Sequence, residues 1–222
     1  MASVTSPATP TVLSTNIARP VPDPGGLKRQ SGINKIPAEK IDVIIPGPDY
    51  GDGSGIAGDH IGDTKHHGGQ QKAVYAYSRE LLDEWGRELG RELPNGAFGE
   101  NLTTSGIVWA DAVINQRFQI GEAELEVSVP RTPCRTFAQW MGERAWVRRF
   151  TEAGDCGAYF RVIREGVVRA GDAIVVKPAP SHGFTMGEAF AGWMGDDQLA
   201  RKMWELDILP PFYQQRWDKR FG

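Results

Sequence analysis

Cysteine is scarce: Cys134 and Cys156 are the only two in 222 residues. Two thiols cannot build a disulfide scaffold, and their number fits a reducing, cytosolic setting. Charge of one sign is scarce too. The net charge is −3 and no block of like charges occurs, which argues against a general nucleic-acid binder. No apolar run approaches the roughly 20 residues of a membrane-spanning helix. The opening stretch MASVTSPATPTVLS lacks a basic region followed by an apolar one, so a secretory signal is not expected. There is no G-x-S-x-G elbow, no H-E-x-x-H pair and no Cys-x-x-Cys. The common serine-hydrolase and zinc signatures are therefore missing.

Glycine and proline are plentiful, at 27 and 15 residues, which fits turn-rich β structure better than a helix bundle. The length suffices for one large domain, or one with an appendage, and about 70% of the unfolded surface can be buried. Residues 1–10 read as a disordered tail. TVLSTNIA reads as a first strand, RPVPDPGG as a turn-forming link, KIDVIIP as a buried strand and KAVYAY as another. AELEVSV alternates apolar Ala123, Leu125, Val127 and Val129 with polar Glu124, Glu126 and Ser128, the pattern of a half-buried strand. YFRVIREGVVRAGDAIVV reads as strand, turn, strand. SRELLDEWGRELG is the clearest helix, with Ser78 as cap, Leu81, Leu82, Trp85 and Leu89 on one face, and Gly90 as stop. After Pro178 three segments, TMGEAFAGWM, DDQLARKMWEL and PPFYQQRWDKRF, carry helical spacing. The predicted organisation is a mainly β domain over residues 11–178 and a small three-helix appendage over 179–222. Phe190, Trp193, Trp204, Phe212 and Trp217 are read as the appendage core.

A long stretch, GPDYGDGSGIAGDHIGDTKHHGGQQ, has neither helical nor strand period. Within it GSGIAG matches a dinucleotide fingerprint, but more glycines follow where a helix would have to start, so the match is rejected. Three of the four histidines, His60, His66 and His67, also fall there. Loops of this length in compact domains tend to be functional or disordered.

Cys134 sits in VSVPRTPCRTF, between Pro130 and Pro133 and between Arg131 and Arg135. Thr132 is predicted to cap a helix with Pro133 in its first position, which puts Cys134 in the first turn. A helix start and nearby arginines favour thiolate over thiol, either as a nucleophile or as a soft metal ligand; molybdenum and copper accept such ligands and hard magnesium does not. Cys156, in EAGDCGAYF, has no such frame and is read as structural. Three further stretches join glycines to a cation or amide: SGINK (Ser31–Lys35), HHGGQQKAVY (His66–Tyr75) and GAFGENLTTSG (Gly96–Gly106). Such loops suit a phosphorylated, heteroatom-rich ligand.

SGINK, Gly58-Asp59, HGG followed by KAVY, FGENLT and PRTPC occur in this order. As a set they resemble the MOSC family, the domain at the C-terminal end of molybdenum-cofactor sulfurases, and in particular its stand-alone bacterial members. The likeness covers roughly residues 11–178. It implies a mainly β, MOSC-type β-barrel of the pyruvate-kinase-barrel kind with a few helices. It implies a molybdenum cofactor, with Cys134 as the metal ligand and catalytic centre. Lys35, Lys72 and Arg131 would hold the pterin phosphate and Asn101 would donate hydrogen bonds; His67, Gly68, Phe98, Gly99 and Thr132 complete the expected cofactor pocket, with His67 favoured over His66. The implied activity is reduction of N-hydroxylated compounds such as 6-hydroxylaminopurine and amidoximes, detoxifying base analogues in the cytoplasm. The chain carries no flavin, haem or iron–sulfur motif, so electrons would come from an external flavoprotein or iron–sulfur protein. Neither nucleic acid nor membrane is an expected partner, and the sequence leaves oligomeric state open. Two alternatives use the same pocket: a sulfur carrier with a persulfide on Cys134, or a module that stores or delivers the cofactor. A full sulfurase would also need a pyridoxal-phosphate domain, for which the ten residues before the family region leave no room.

Overall fold

The computed structural model describes residues 9–222. Most of the expected tail, residues 1–8, lies outside them; of its last two residues, Pro10 accepts a hydrogen bond from Ile174 N at 2.8 Å. In chain order the strands and helices are β1 (Thr11–Ala18), β2 (Val21–Pro22), β3 (Gln30–Ser31), β4 (Lys35–Ala38), β5 (Lys40–Val43), β6 (Val74–Ser78), α1 (Arg79–Leu89), β7 (Leu102–Ser105), β8 (Arg117–Ile120), β9 (Ala123–Val127), α2 (Arg135–Met141), α3 (Trp146–Ala153), β10 (Ala158–Arg164), β11 (Gly166–Arg169), β12 (Ile174–Val176), α4 (Met186–Met194), α5 (Asp197–Glu205) and α6 (Pro211–Phe221).

Eight strands form one sheet in the order β12-β8-β9-β10-β6-β7-β1-β4. The sheet curls into an incomplete barrel. Its far side is stitched where β1 meets the approach to β12: Thr11 bridges Ala173, Val12 N donates to Asp172 O at 2.9 Å, and Gly171 N donates to Val12 O at 2.8 Å. A two-stranded ribbon, β5 with β11, lies beside it. Most pairs are antiparallel, as short turns allow, but β6 and β7 run parallel. A parallel pair needs a crossover, and α1 supplies it. That helix covers β6 on one face, so all five β6 residues are buried and the strand reads as a continuous apolar run rather than an alternating one. Ser78 accepts from Leu81 N and Gly90 closes the helix at φ +66°, both as the sequence predicts.

The alternation in AELEV holds: Ala123, Leu125 and Val127 are fully buried. KIDVIIP does not form the expected buried strand. Only Lys40–Val43 is extended, with alternating burial, and Ile44 and Ile45 are exposed. Among the strands β5 pairs with β11, and its other edge meets a single bridge from Val43 to Ile56, so the ribbon lies outside the main sheet and a continuous run is not buried on both faces. The stretch predicted as strand, turn, strand also divides differently: β10, β11 and β12 pair with different partners, β11 leaving the main sheet.

A cluster of rings from α1, α2, α3 and the loop before β7 locks one end of the barrel. Phe98 lies 5.1 Å from Phe137 and 5.6 Å from Trp146, and Trp85 lies 4.7 Å from Trp146, in edge-on or tilted geometries of the kind aromatic pairs prefer. The three predicted C-terminal helices form α4–α6. They dock on the barrel through backbone bonds at both ends of the 112–114 segment, Ile114 N to Phe184 O at 3.0 Å and Met186 N to Ala112 O at 2.8 Å, and through Phe150 against Phe190 at 6.1 Å. Their aromatic core is smaller than expected. Phe190 and Trp217 are buried, Trp193 and Trp204 are half-buried, and Phe212 is 65% exposed. Proline at the first position of α6 sets where the helix starts, and the side that packs carries Tyr213 and Trp217, which leaves Phe212 turned outward.

Candidate functional site

After β9 the chain runs through buried Val129, Pro130 and Arg131 to an exposed Cys134. The expected cap is shifted by two residues. Cys134, not Thr132, is the N-cap of α2, with extended backbone (φ −116°, ψ 173°) and Sγ accepting from Phe137 N at 3.5 Å. The reason is local: a residue before proline is pushed out of the helical region, so Thr132 and Pro133 stay extended and the helix begins later. Phe137 is anchored in the ring cluster, so the position of the thiol is tied to a packed element.

Cys134 opens on a cavity of about 670 Å³ that also takes in Arg131, Lys72, His67, Thr132 and Tyr159. A narrower inner recess of about 120 Å³ continues past them to Lys35, Phe98, Gly99, Asn101 and His60. Arg131 is buried, with its guanidinium 4.6 Å over the Tyr75 ring and 4.0 Å over Phe137, and it donates to Phe98 O. It stays charged, since burial is outweighed by the tyrosines and Cys134 around it. Lys72 is held between rings, 5.1 Å from the Tyr50 centroid and 5.6 Å from that of Tyr159, and donates to His66 O at 2.9 Å. Burial and the Arg131 charge bring its ammonium down to about 8, against the upward pull of Cys134 and Asp63. Among the described residues neither cation forms an ion pair. His67 lies 3.4 Å from Tyr159 Oη through Nδ1. Burial and the nearby Lys72 hold its imidazole well below the ordinary range, so it is neutral at pH 7. His66 is exposed and turned to Asp63, 3.0 Å away.

The inner recess is built differently. Lys35 is buried and ion-paired with Asp59. Asp59 also accepts from Ala18 N at 2.8 Å, Asn101 Nδ2 at 3.0 Å and Ser54 Oγ at 3.2 Å. Burial raises its carboxyl pKa, but the Lys35 charge and these donors more than offset that and hold it below the usual carboxylate range. Asn101 is likewise spoken for: it donates to Asp59 and to Asn16 O and accepts from Tyr75 N. The FGEN loop closes on buried Glu100, which accepts from Gly96 N at 2.6 Å, Phe98 N at 2.9 Å and Thr103 Oγ1 at 2.9 Å. Two glycines let the walls touch. A Cβ on Gly32 would stand 2.1 Å from His60 O, and one on Gly62 would stand 2.1 Å from Gln30 O, far inside contact distance.

Of the residues expected to make the pocket, Lys35, His67, Lys72, Phe98, Gly99, Asn101, Arg131, Thr132 and Cys134 all line the inner recess. Gly68 does not; it faces the neighbouring hollow at Tyr50 and Phe212. Cys156 is buried, its thiol pushed up by burial. Sequence reading gave no role to Asp59, Glu100, Arg29 or Tyr159. The first two sit inside quoted motifs, GD and FGEN, where a short-range acid among glycines was the available signal. Arg29 and Tyr159 had none: they reach the cavity through strand pairing and an ion pair, Arg29 to Asp23 at 2.6 Å and to Asp63 at 2.9 Å.

The donor set fits a phosphorylated ligand that also carries a metal. Among the described residues two enclosed cations have no ion pair, an exposed thiol stands beside them, and the buried Nε2 of His60, in the recess wall, has no hydrogen-bond partner. Buried polar atoms are normally satisfied.

Residues 63–175 match the MOSC domain family. The chain is 37% identical over 161 residues to "Uncharacterized protein YflK" of Bacillus subtilis, covering 72% of this chain and 70% of that protein. It is 32% identical to "Protein YiiM" of Escherichia coli over 66% of this chain and 68% of that one. A protein of Gibberella moniliformis named "Reductase" is 31% identical over 60% of this chain, which spans only 24% of that relative. The fold is similar to that of crystalline YiiM from Geobacillus stearothermophilus, with a TM-score of 0.73 at 23% identity, over 96% of this chain and all of the other. Among the described residues no helix is long and apolar enough to cross a membrane.

Proposed function

We propose, from the premise that the chain belongs to the MOSC domain family, that it is a molybdenum-cofactor-dependent reductase of N-hydroxylated compounds, such as 6-hydroxylaminopurine and amidoximes, working in the cytoplasm. The observation that carries the reading is the cavity in which exposed Cys134 stands beside two cations, Arg131 and Lys72, that form no ion pair among the described residues. A relative named as a reductase supports the reaction class.

Arg131 and Lys72 hold the cofactor phosphate, Arg131 through a fork suited to two phosphate oxygens. Cys134 is the metal ligand. When bound, the molybdenum cofactor supplies the two-electron redox change. The reaction breaks the N–O bond: R–NH–OH takes up two electrons and two protons and leaves as R–NH2 and water. An external flavoprotein or iron–sulfur protein is the reductant. Lys35, neutralised by Asp59, serves the pocket by fixing Asn101 and the loop that carries His60.

Protein from a cofactor-competent host is expected to carry molybdenum and pterin and to reduce 6-hydroxylaminopurine or an amidoxime with dithionite-reduced viologen. Cys134→Ser offers a hard, poorly ionised hydroxyl and should abolish turnover with the circular dichroism unchanged, while Cys156→Ser retains most activity. A molybdenum-loaded wild type inert toward every such substrate overturns the reading. The exposure of Cys134 favours one second reading, a persulfide carrier for cofactor maturation. Labelled persulfide sulfur accepted on Cys134 by that inert protein selects it.

A further inference from the structure

One wall of the cavity is not made by the barrel. It comes from α4 and α6, through Trp193, Phe212, Tyr213 and Arg216, with Tyr50 reaching up from the long loop. These five form a connected surface. The hydroxyls of Tyr50 and Tyr213 are bonded to each other. Phe212 meets Tyr50 edge-on, ring centres 5.5 Å apart. Tyr213 meets Trp193 at 5.3 Å, and the Arg216 guanidinium lies 5.0 Å over Trp193. The same Tyr50 ring stands 5.1 Å from Lys72 Nζ, so the aromatic wall runs without interruption into the cation pocket. Phe212 is 65% exposed, the most exposed large apolar side chain among the described residues. Arg216 has neither an ion pair nor a hydrogen-bond partner among them. The helical packing buries Tyr213 and Trp217 and leaves Phe212 mostly exposed.

We propose that this wall is the substrate-selecting subsite: a flat aromatic or heteroaromatic ring lies against Phe212 and the Arg216–Trp193 surface, with its N-hydroxylated substituent directed inward to Cys134. The proposal rests on the reductase reading for the chemistry of the substituent, and on the wall alone for the ring. Ring faces stack on aromatic side chains whatever the heteroatom pattern, so the subsite discriminates planar from aliphatic substrates rather than one base from another. Arg216 extends the flat surface and offers donors to ring acceptors.

The test separates ring binding from turnover. Calorimetric titration of the full chain, without molybdenum, compares benzamidoxime with acetamidoxime; both are neutral and share the same N–O group. Phe212→Ala should weaken benzamidoxime binding about tenfold, leave acetamidoxime within about twofold, and be rescued by Phe212→Trp. Phe212 is exposed, so the fold should survive, as circular dichroism checks. Equal weakening of both ligands, unchanged benzamidoxime binding, or no benzamidoxime binding by the wild type overturns the subsite. A change in oligomeric state on gel filtration with binding unchanged also overturns it, by reassigning Phe212 to a contact between copies. Selective ring binding in a protein that proves inert when loaded with molybdenum keeps the subsite and removes the reductase reading.

Discussion

The cavity holds two buried or enclosed lysines, and they live by opposite rules. Lys35, at the inner end, is matched to Asp59 within a shell of donors that includes Asn101 and the backbone of Ala18. Lys72, at the outer end, lines the same space as Arg131 and has no ion pair among the described residues. A paired buried charge is framework, because removing one partner strands the other. An unpaired one is a standing cost that an anion, or loss of the proton, relieves. The contrast separates a cation that the fold pairs from cations that it leaves without an ion pair among the described residues, although all were expected from sequence as one cation set.

The largest effect should come from breaking the inner pair. Lys35→Ala strands Asp59 and is expected to cost about 3–5 kcal/mol, seen as a lower midpoint in urea. Asp59 titrates below its ordinary value. Its contribution is therefore present above the unfolded carboxylate pKa of about 4 and is lost as pH falls through the folded value. Wild type should weaken over that acid range and Lys35→Ala should not follow it. A variant as stable as wild type with the same acid slope would show the two ends to be alike.

Next is Arg131→Met. It leaves no carboxylate stranded, so stability should change by only about 1 kcal/mol, mainly from the freed carbonyl of Phe98. Retention of pterin after gel filtration, or affinity for inorganic pyrophosphate, should drop by tenfold or more, since a charge-assisted contact contributes about 1.5–3 kcal/mol. Unchanged pyrophosphate affinity would take Arg131 out of the anion site.

Lys72 sharpens the contrast through pH. Its ammonium titrates at about 8, so the charge is present below that pH and lost above it. Binding of sulfate, an anion that does not titrate in this range, should weaken in wild type as pH rises from 7 to 9, and Lys72→Met should be both weaker at pH 7 and flat across that range. A slope that persists in the variant assigns it to another group. The smallest effect belongs to the aromatic wall: Tyr50→Phe removes one hydroxyl of the bonded pair with Tyr213 and should cost about 0.5–1.5 kcal/mol. A loss several times larger would make that bond a structural strut.

Much of this was legible in the residues. Alternation set β9, a run bounded by turns set β6, and Ser78 and Gly90 set the ends of α1, because periodicity and caps are local effects that survive in any tertiary setting. The ordered motifs around Lys35, His67, Phe98 and Arg131 were legible too, and their residues line one recess. Only the tertiary structure decided the rest. The parallel pairing of β6 with β7 and the stitching of β1 to the approach to β12 join residues far apart in the chain, which no local pattern encodes. The partner of each lysine depends on which carboxylate the fold carries to it: Asp59 reaches Lys35, while Asp63 is taken by Arg29 and His66. The outward turn of Phe212 depends on how α6 packs, since helical spacing places an aromatic on a face but only the neighbouring elements determine whether that face is covered.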